Sequence, residues 1–168
     1  VSIGHGVREI VDAMAEQAAK VCFTYGRFIT QPQIDLAHQI AALTPGDLNR
    51  VFFVSGGSEA TESAMKMARK YHIETGNPKK YKVISRWQSW HGNTIGALSM
   101  SGRTPWRDDY VPYLLNFPHI PQPYCYRCDY QQTYPKCQLS CANELERIIR
   151  QEGIESVSYT NLKMPTKA

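Results

Sequence analysis

Near the N-terminus, apolar residues recur at helical spacing: Val7, Ile10, Val11, Met14, Ala18 and Val21, with Glu9, Asp12, Glu16 and Lys20 between them. That spacing predicts an amphipathic helix over 7–20. Gly26 marks a break, with Tyr25 to Thr30 as a loop. Pro32 suits the first turn of a second helix over 32–43, with Ile34, Ala37, Ile40 and Ala41 inward. Thr44-Pro45-Gly46-Asp47 has the chemistry of a turn and ends it. Val51-Phe52-Phe53-Val54 is a continuous apolar run, which predicts a strand buried on both faces. A glycine-rich turn follows, then a helix from Ser58 to His72, with Ala60, Ala64, Met67, Ala68 and Tyr71 toward a partner. Glu59 and Glu62 near its start suit the helix dipole.

Gly76-Asn77-Pro78 closes that helix, and Lys82 to Ser85 reads as the next strand. Ser89 to Asn93 forms a loop, and Thr94 to Met100 a short helix. Residues 103–140 carry Pro105, Pro112, Pro118, Pro121, Pro123 and Pro135 and are expected to be mostly irregular. Asn143 to Gln151 returns to helix. Ile154 to Val157 opens a further strand, but Ser158 to Lys163 does not continue an apolar run, so 158–168 reads as an atypical tail. Strands alternating with helices point to an α/β fold around a central sheet.

Composition narrows the function classes. The 168 residues are 42% apolar and 20% charged, with a net charge of +4, which is the balance of one globular domain. The short basic run at Lys79, Lys80 and Lys82 reads as a solvated surface, and the weak, dispersed excess argues against nucleic acid as a partner. No apolar stretch approaches the length of a membrane span. Val1 to Gly6 has neither the basic start nor the apolar run of a signal peptide, and no initiating Met. The expectation is a chain that begins inside a longer one and resides in the cytoplasm, with an organelle left open. Of five cysteines, Cys22 stands alone and Cys125, Cys128, Cys137 and Cys141 cluster. An odd total argues against a secreted disulfide scaffold.

Two loops could carry chemistry. Ser55-Gly56-Gly57-Ser58 joins an expected strand to a helix. The first amides of a helix lack internal partners and, with the dipole, favour an anion. Gly56 and Gly57 allow close backbone approach, and Ser58 adds a hydroxyl donor. The set suits a phosphate, although neither a P-loop nor a dinucleotide fingerprint is present. An ordinary tight turn is the plainer reading. Trp90-His91-Gly92 also follows a strand. Its indole offers a flat face for a heterocycle, or is simply a half-buried core residue.

In order and spacing, these segments resemble the class-III pyridoxal-phosphate (PLP) aminotransferases. The stretch Phe52 to Arg69 looks like that family's cofactor-phosphate segment, and Trp90-His91-Gly92-Asn93-Thr94 resembles its aromatic-His-Gly loop. Gly4-His5-Gly6 and Leu43 to Leu48 match upstream, so the resemblance covers about residues 1–157. It implies a type-I PLP fold, here an incomplete large domain with a mixed or mostly parallel sheet. It also implies a homodimer and transfer of an amino group from an amine or amino acid to a 2-oxo acid. By the same match, Gly57 and Ser58 hold the cofactor phosphate, Trp90 stacks on the ring where the family commonly has Phe or Tyr, and His91 flanks it. Tyr25 and Phe28 lie on a loop like one near the dimer active site. The implied organisation is an N-terminal helical segment near the dimer interface over 1–46, a partial cofactor-binding domain over 47–157, and the tail 158–168.

The family's following Glu-Pro strand, the acid that pairs with the ring nitrogen and the Schiff-base lysine are not found among these residues; Lys66, on the phosphate-site helix, is expected to face solvent. Transamination by this chain alone is therefore not expected. A truncated regulatory or binding subunit, and a small zinc-binding interaction domain centred on 124–141, are the rival readings. For Cys125, Cys128, Cys137 and Cys141, a structural zinc, disulfides and unlinked thiols all stay open.

Overall fold

The computed structural model describes residues 2–160. The chain divides into two compact units, Val1–Phe52 and Phe53–Ala168.

The first unit holds helices α1 (Arg8–Lys20) and α2 (Gln31–Leu43). Glu9 in the first turn of α1 and Lys20 in the last complement the helix dipole. Arg8–Asp12 and Glu16–Lys20 pair one turn apart on its surface. Such exposed pairs contribute little, because solvent screens them. At the start of α2, the Thr30 N–H donates to Gln33 Oε1 at 2.9 Å, and Pro32 occupies the first turn, where a missing N–H costs nothing. The Thr44 hydroxyl donates to the Leu48 carbonyl at 2.6 Å and closes the turn through Gly46. Both helices lie where the periodicity puts them; neither contains a fully buried residue, and of the four residues expected inward on α2, Ala37, Ile40 and Ala41 are half-buried while Ile34 is exposed. A helix can have an apolar stripe without any element covering it, and among the described residues Ile10, Val11, Met14 and Ile34 remain exposed.

The second unit is built on a parallel three-stranded sheet in the order β2–β1–β3, with β1 (Lys82–Arg86) between β2 (His119–Ile120) and β3 (Val157–Thr160). Ser85 lies opposite His119 and Lys82 opposite Val157. Successive residues of β1 point to opposite faces, and each face has its own core. Ile84 meets Ile120, Val157 and Ile148, backed by Leu145 and Ile149 of helix α5 (Ser140–Glu152). On the other face Val83 meets Met100 and Phe117, backed by Tyr159 and by Met65 of helix α3 (Gly57–Glu74). Met100 ends the short helix α4 (Ile95–Met100), buried from Gly96 onward. The result is an α/β layer arrangement.

Four expectations change, two of them only in detail. Val51 to Val54 is not a strand: it is irregular, and Phe52 is 69% exposed. A strand exists only against a partner, and the described sheet pairs β1 with β2 and β3 alone, with 51–54 joining neither edge. Residues 103–140 are mostly irregular as expected, but the two-residue β2 forms among them because the Pro118 and Ile120 carbonyls accept from the Ser85 and Trp87 N–H groups. Three short 3-10 turns, Thr104–Trp106, Asp108–Tyr113 and Cys125–Arg127, occupy part of the rest. The strand after α5 continues through Thr160, beyond the point where the apolar run stops; the remainder of the expected tail, 161–168, lies outside the described residues. Finally, α3 is rotated from its expected orientation. Of the residues expected to face a partner, Ala60, Ala64, Met67 and Tyr71 are exposed and only Ala68 is half-buried; the covered side also carries Ser58, Thr61, Glu62, Met65, Arg69 and His72. That polar side faces inward because its groups bond neighbouring backbone: Arg69 donates to the Pro78 carbonyl, and the His72 ring meets the Ser158 carbonyl at 3.1 Å.

Ile84 has no exposed surface and packs at the centre of one core face. Ile84→Ala is expected to lower unfolding free energy by about 2–5 kcal/mol in chemical denaturation. Met14→Ala on the exposed face of α1 is expected to stay within about 0.5 kcal/mol.

Candidate functional site

The two loops singled out in the sequence come together at the N-terminus of α3. Gly56 caps the helix in an extended conformation, and a Cβ added at Gly56 or Gly57 would meet nothing within 4 Å. Protein packing therefore does not require these glycines; what they leave is open space in front of the first-turn amides. Ser55 N–H donates to the Glu59 carboxylate at 2.7 Å, fixing the entry to the helix.

The Trp90 loop is fastened to this helix end at three points. Ser58 Oγ accepts from the Asn93 N–H at 2.9 Å. Thr61 donates to the His91 carbonyl at 2.9 Å. Between them Gly92, at φ +139°, lies so close that a Cβ would stand 2.5 Å from Ser58 Oγ and 2.8 Å from Ser58 Cα. This position needs glycine for both its conformation and its contact.

Glu62 works one helix further on. Its Oε1 accepts from Gly96 N–H at 2.8 Å, Ala97 N–H at 3.1 Å and the Thr94 hydroxyl at 2.6 Å, so it caps α4. The sequence suggested only a dipole role on its own helix. The reason for Gly96 is the same pairing, since a Cβ there would meet Glu62 Oε2 at 2.5 Å. Below this pair, burial and the Glu62 charge push the Tyr159 phenol up to about 12.

The stem of the Trp90 loop is closed by Gly102. Gln88 N–H donates to the Gly102 carbonyl and Gly102 N–H to the Ser89 carbonyl, at 3.0 and 2.9 Å. A Cβ on Gly102 would stand 2.2 Å from the Arg86 carbonyl oxygen. Within the stem, His91 is buried; its N–H donates to Ser101 Oγ at 2.9 Å. The Ser89 hydroxyl donates to the Arg86 carbonyl at 2.6 Å, which leaves its oxygen to accept from His91 Nε2 at 3.0 Å. Trp90 is 37% exposed and packs perpendicular to Trp106, with centroids 4.9 Å apart; the Arg103 guanidinium lies 4.2 Å above Trp106.

A second cluster at the C-terminal end of the sheet escaped the sequence reading. His119 stacks on Trp87 at 4.4 Å, its Nδ1 donates to the Phe117 carbonyl at 2.9 Å, and its Nε2 faces Arg107 Nη1 at 3.3 Å. Arg107 also donates to the Ser101 carbonyl and lies over Trp87. Burial, with the Arg107 charge beside it, pushes His119 down to about 4, so the ring is neutral and accepts from the guanidinium. A lone His and Arg in a proline-rich stretch have no local pattern that could announce this pairing.

The other candidates lie on other segments of the chain. Tyr25 and Phe28 are exposed on the loop between α1 and α2 in the first unit. Lys66 is exposed on α3, at the edge of a groove it shares with Arg69, Ile73, Tyr81 and Phe117. Cys22, Cys125, Cys128, Cys137 and Cys141 are all free thiols. Among the described residues no three His, Cys, Asp or Glu side chains are already grouped to hold a metal ion. No helix among them is long and apolar enough to cross a membrane.

Comparison with known proteins finds consistent likenesses. The family profile for Aminotransferase class-III matches residues 1–158. An uncharacterized aminotransferase of Bacillus subtilis, YodT, is 38% identical over 94% of this chain and 35% of its own length. An adenosylmethionine-8-amino-7-oxononanoate aminotransferase of Methanocaldococcus jannaschii is 34% identical over 90% of this chain and 35% of its own. A thermostable (S)-enantioselective omega-transaminase from Thermomicrobium roseum superposes with a TM-score of 0.87 at 37% identity, over 94% of this chain and 36% of that one. An amine transaminase from an uncultivated Pseudomonas species, crystallised in its PLP-bound form, gives 0.84 at 27% identity, over 95% and 37%. The chain thus spans about a third of the length of the relatives it matches.

Two predictions follow from the geometry. Gly92→Ala is expected to cost about 1–3 kcal/mol of stability, measured by denaturation, because both the left-handed backbone and the contact with Ser58 resist a side chain. His119 takes its proton near 6.5 when unfolded and near 4 in the fold, so the unfolded chain binds the extra proton between those values. Its contribution is complete above the unfolded value and is lost as pH falls toward 4, on the order of 3 kcal/mol. Stability measured across that interval is expected to decline, and His119→Gln to flatten the decline.

Proposed function

This chain belongs to the class-III aminotransferase family, which is PLP-dependent, and we propose that its protein moves an amino group from an amine or amino acid to a 2-oxo acid. The observation that carries this reading is the fastening of the Trp90 loop onto the amide end of α3 through Ser58, Thr61 and Gly92. An anion cradle and an aromatic face thereby share one rigid corner.

The residues fit the cofactor. When bound, PLP supplies the electron sink for carbanion chemistry at the substrate. The first-turn amides of α3 at Gly57 and Ser58 would receive its phosphate, in the space that the glycines leave open. Ser58 Oγ accepts from Asn93, which leaves its hydroxyl proton available for donation to the phosphate. Trp90 would stack on the ring, and its position is set by Trp106 and by the anchored backbone of His91. His91 acts from behind as a positioning residue.

The finer features belong to the same proposal. By the same proposal, residues 1–46 are the helical segment of a homodimer interface, with Tyr25 and Phe28 as exposed aromatic candidates on its loop. Residues 47–157 are part of the cofactor-binding domain. The lysines near the sheet are engaged elsewhere: Lys82 with Glu152, Lys80 with the Ile154 carbonyl and Lys70 with Glu74. We assign none of them the covalent link to the cofactor, and a polypeptide of these 168 residues alone is expected to show no turnover.

Cofactor binding followed by tryptophan fluorescence tests the site, and amino transfer from an amine to a 2-oxo acid, measured on the full-length protein, tests the reaction. Gly57→Val is expected to keep stability within about 1 kcal/mol yet weaken PLP binding at least about tenfold, since its side chain enters only the open space. Trp90→Ala is expected to lose about tenfold and Trp90→Phe little, the difference being the stacking face. Undiminished PLP affinity in both Gly57→Val and Trp90→Ala would refute the site.

A further inference from the structure

Cys125, Cys128, Cys137 and Cys141 have no part in the cofactor site, yet all four line one small cavity between β2 and α5. We propose that these four cysteines are the ligands of one structural zinc ion.

The backbone sets up the two ligand pairs. Cys125 opens a 3-10 turn, Cys125–Arg127, and in such a turn residues three apart stand over one another, which puts Cys125 and Cys128 on the same side. Cys137 and Cys141 flank the entry to α5. The Ser140 N–H and hydroxyl both donate to the Cys137 carbonyl, at 3.1 and 2.8 Å, and Leu139 turns through the left-handed region just before the helix begins. The cavity that both pairs line measures about 20 Å³, on the scale of a single water-sized sphere.

The chemistry of the donor set selects the ion. Thiolates are soft ligands, and a set of four with no imidazole or carboxylate required suits tetrahedral zinc. Binding releases four thiol protons to solvent and leaves a complex of net charge −2. Arg127, between the first pair, and Lys136, beside Cys137, supply positive charge next to it in the chain. Among the described residues no three of these side chains are yet grouped to hold an ion, so the thiols would have to converge on zinc as it binds, coupling metal binding to ordering of the loop.

The segment also has reason to need a staple. Three of its non-glycine residues, Gln131, Gln138 and Leu139, hold positive φ, which costs backbone energy. Its tyrosines Tyr126 and Tyr134 are largely exposed, so apolar burial offers little in return.

The test is metal stoichiometry on the protein under reducing conditions, by elemental analysis after incubation with zinc and dialysis. Cobalt(II) serves as a spectroscopic probe, and titration with a thiol reagent counts accessible cysteines. The expected result is one zinc per chain, the intense visible bands of a tetrahedral cobalt–thiolate centre, and one reactive thiol, Cys22, that rises to five when a chelator is added. Cys22→Ser is expected to bind zinc as the wild type does, and the double variant Cys125→Ser/Cys128→Ser to lose it. Cys137→Ser, which keeps the first turn intact, gives an independent reading of the second pair and is expected to abolish the cobalt bands. Substoichiometric zinc in the wild type, equal reactivity of all five thiols with zinc present, or isolation of the four cysteines as two disulfides would overturn the proposal.

Discussion

The second unit depends on the burial of one strand. β1 has Val83, Ile84 and Ser85 without exposed surface, and its two edges are hydrogen-bonded to β2 and β3. Because alternate residues of a strand point to opposite faces, Val83 and Ile84 recruit two separate cores. α5 covers one through Leu145, Ile148 and Ile149, and α3 with α4 covers the other through Met65 and Met100. Each element is stable only because β1 gives it an apolar surface. Isolated helices as short as α4 do not persist in water by themselves.

Fixing β1 also fixes where its exit loop runs. The chain leaves at Arg86, doubles back against Gly102, and arrives over the amide end of α3 with Gly92 in contact with Ser58. Two glycines are obligatory here for steric reasons, while Gly56 and Gly57 face open space. Glycines demanded by packing hold the corner rigid, and glycines not so demanded leave room for a ligand. Glu62 ties α3 to α4 by capping α4, so a shift of one helix against the other breaks these bonds.

Polar burial is the second theme of this corner. Ser89, His91, Ser101, Thr61 and Glu62 form a continuous set of bonds to backbone groups, and Arg107 and His119 extend it across the sheet end. A buried polar group without a partner is expensive, so each of these bonds specifies geometry as much as it stabilises it. A neutral His119 fits that requirement: with Nδ1–H directed to Phe117, its other nitrogen can accept from Arg107.

The sequence by itself determined the helices over 8–20 and 31–43, the strand at Lys82, and the two loops at Gly57-Ser58 and Trp90-His91, because each rests on local periodicity or on turn chemistry. It also determined the family, through the order of those segments. Periodicity could not orient α3: its alanines and Met67 suggested a buried side, but Thr61, Glu62 and Arg69 turn inward because their partners are backbone groups far away in sequence. Nor could it place β2, two residues long, or deny a strand to Phe52 and Phe53, since pairing depends on which edges of a sheet are free. The Trp87–His119–Arg107 stack was likewise invisible, for its members meet only when β1 and β2 align. Local pattern is written along the chain, whereas partners for polar groups and strand edges are supplied only by the folded neighbours, and those the tertiary structure alone decided.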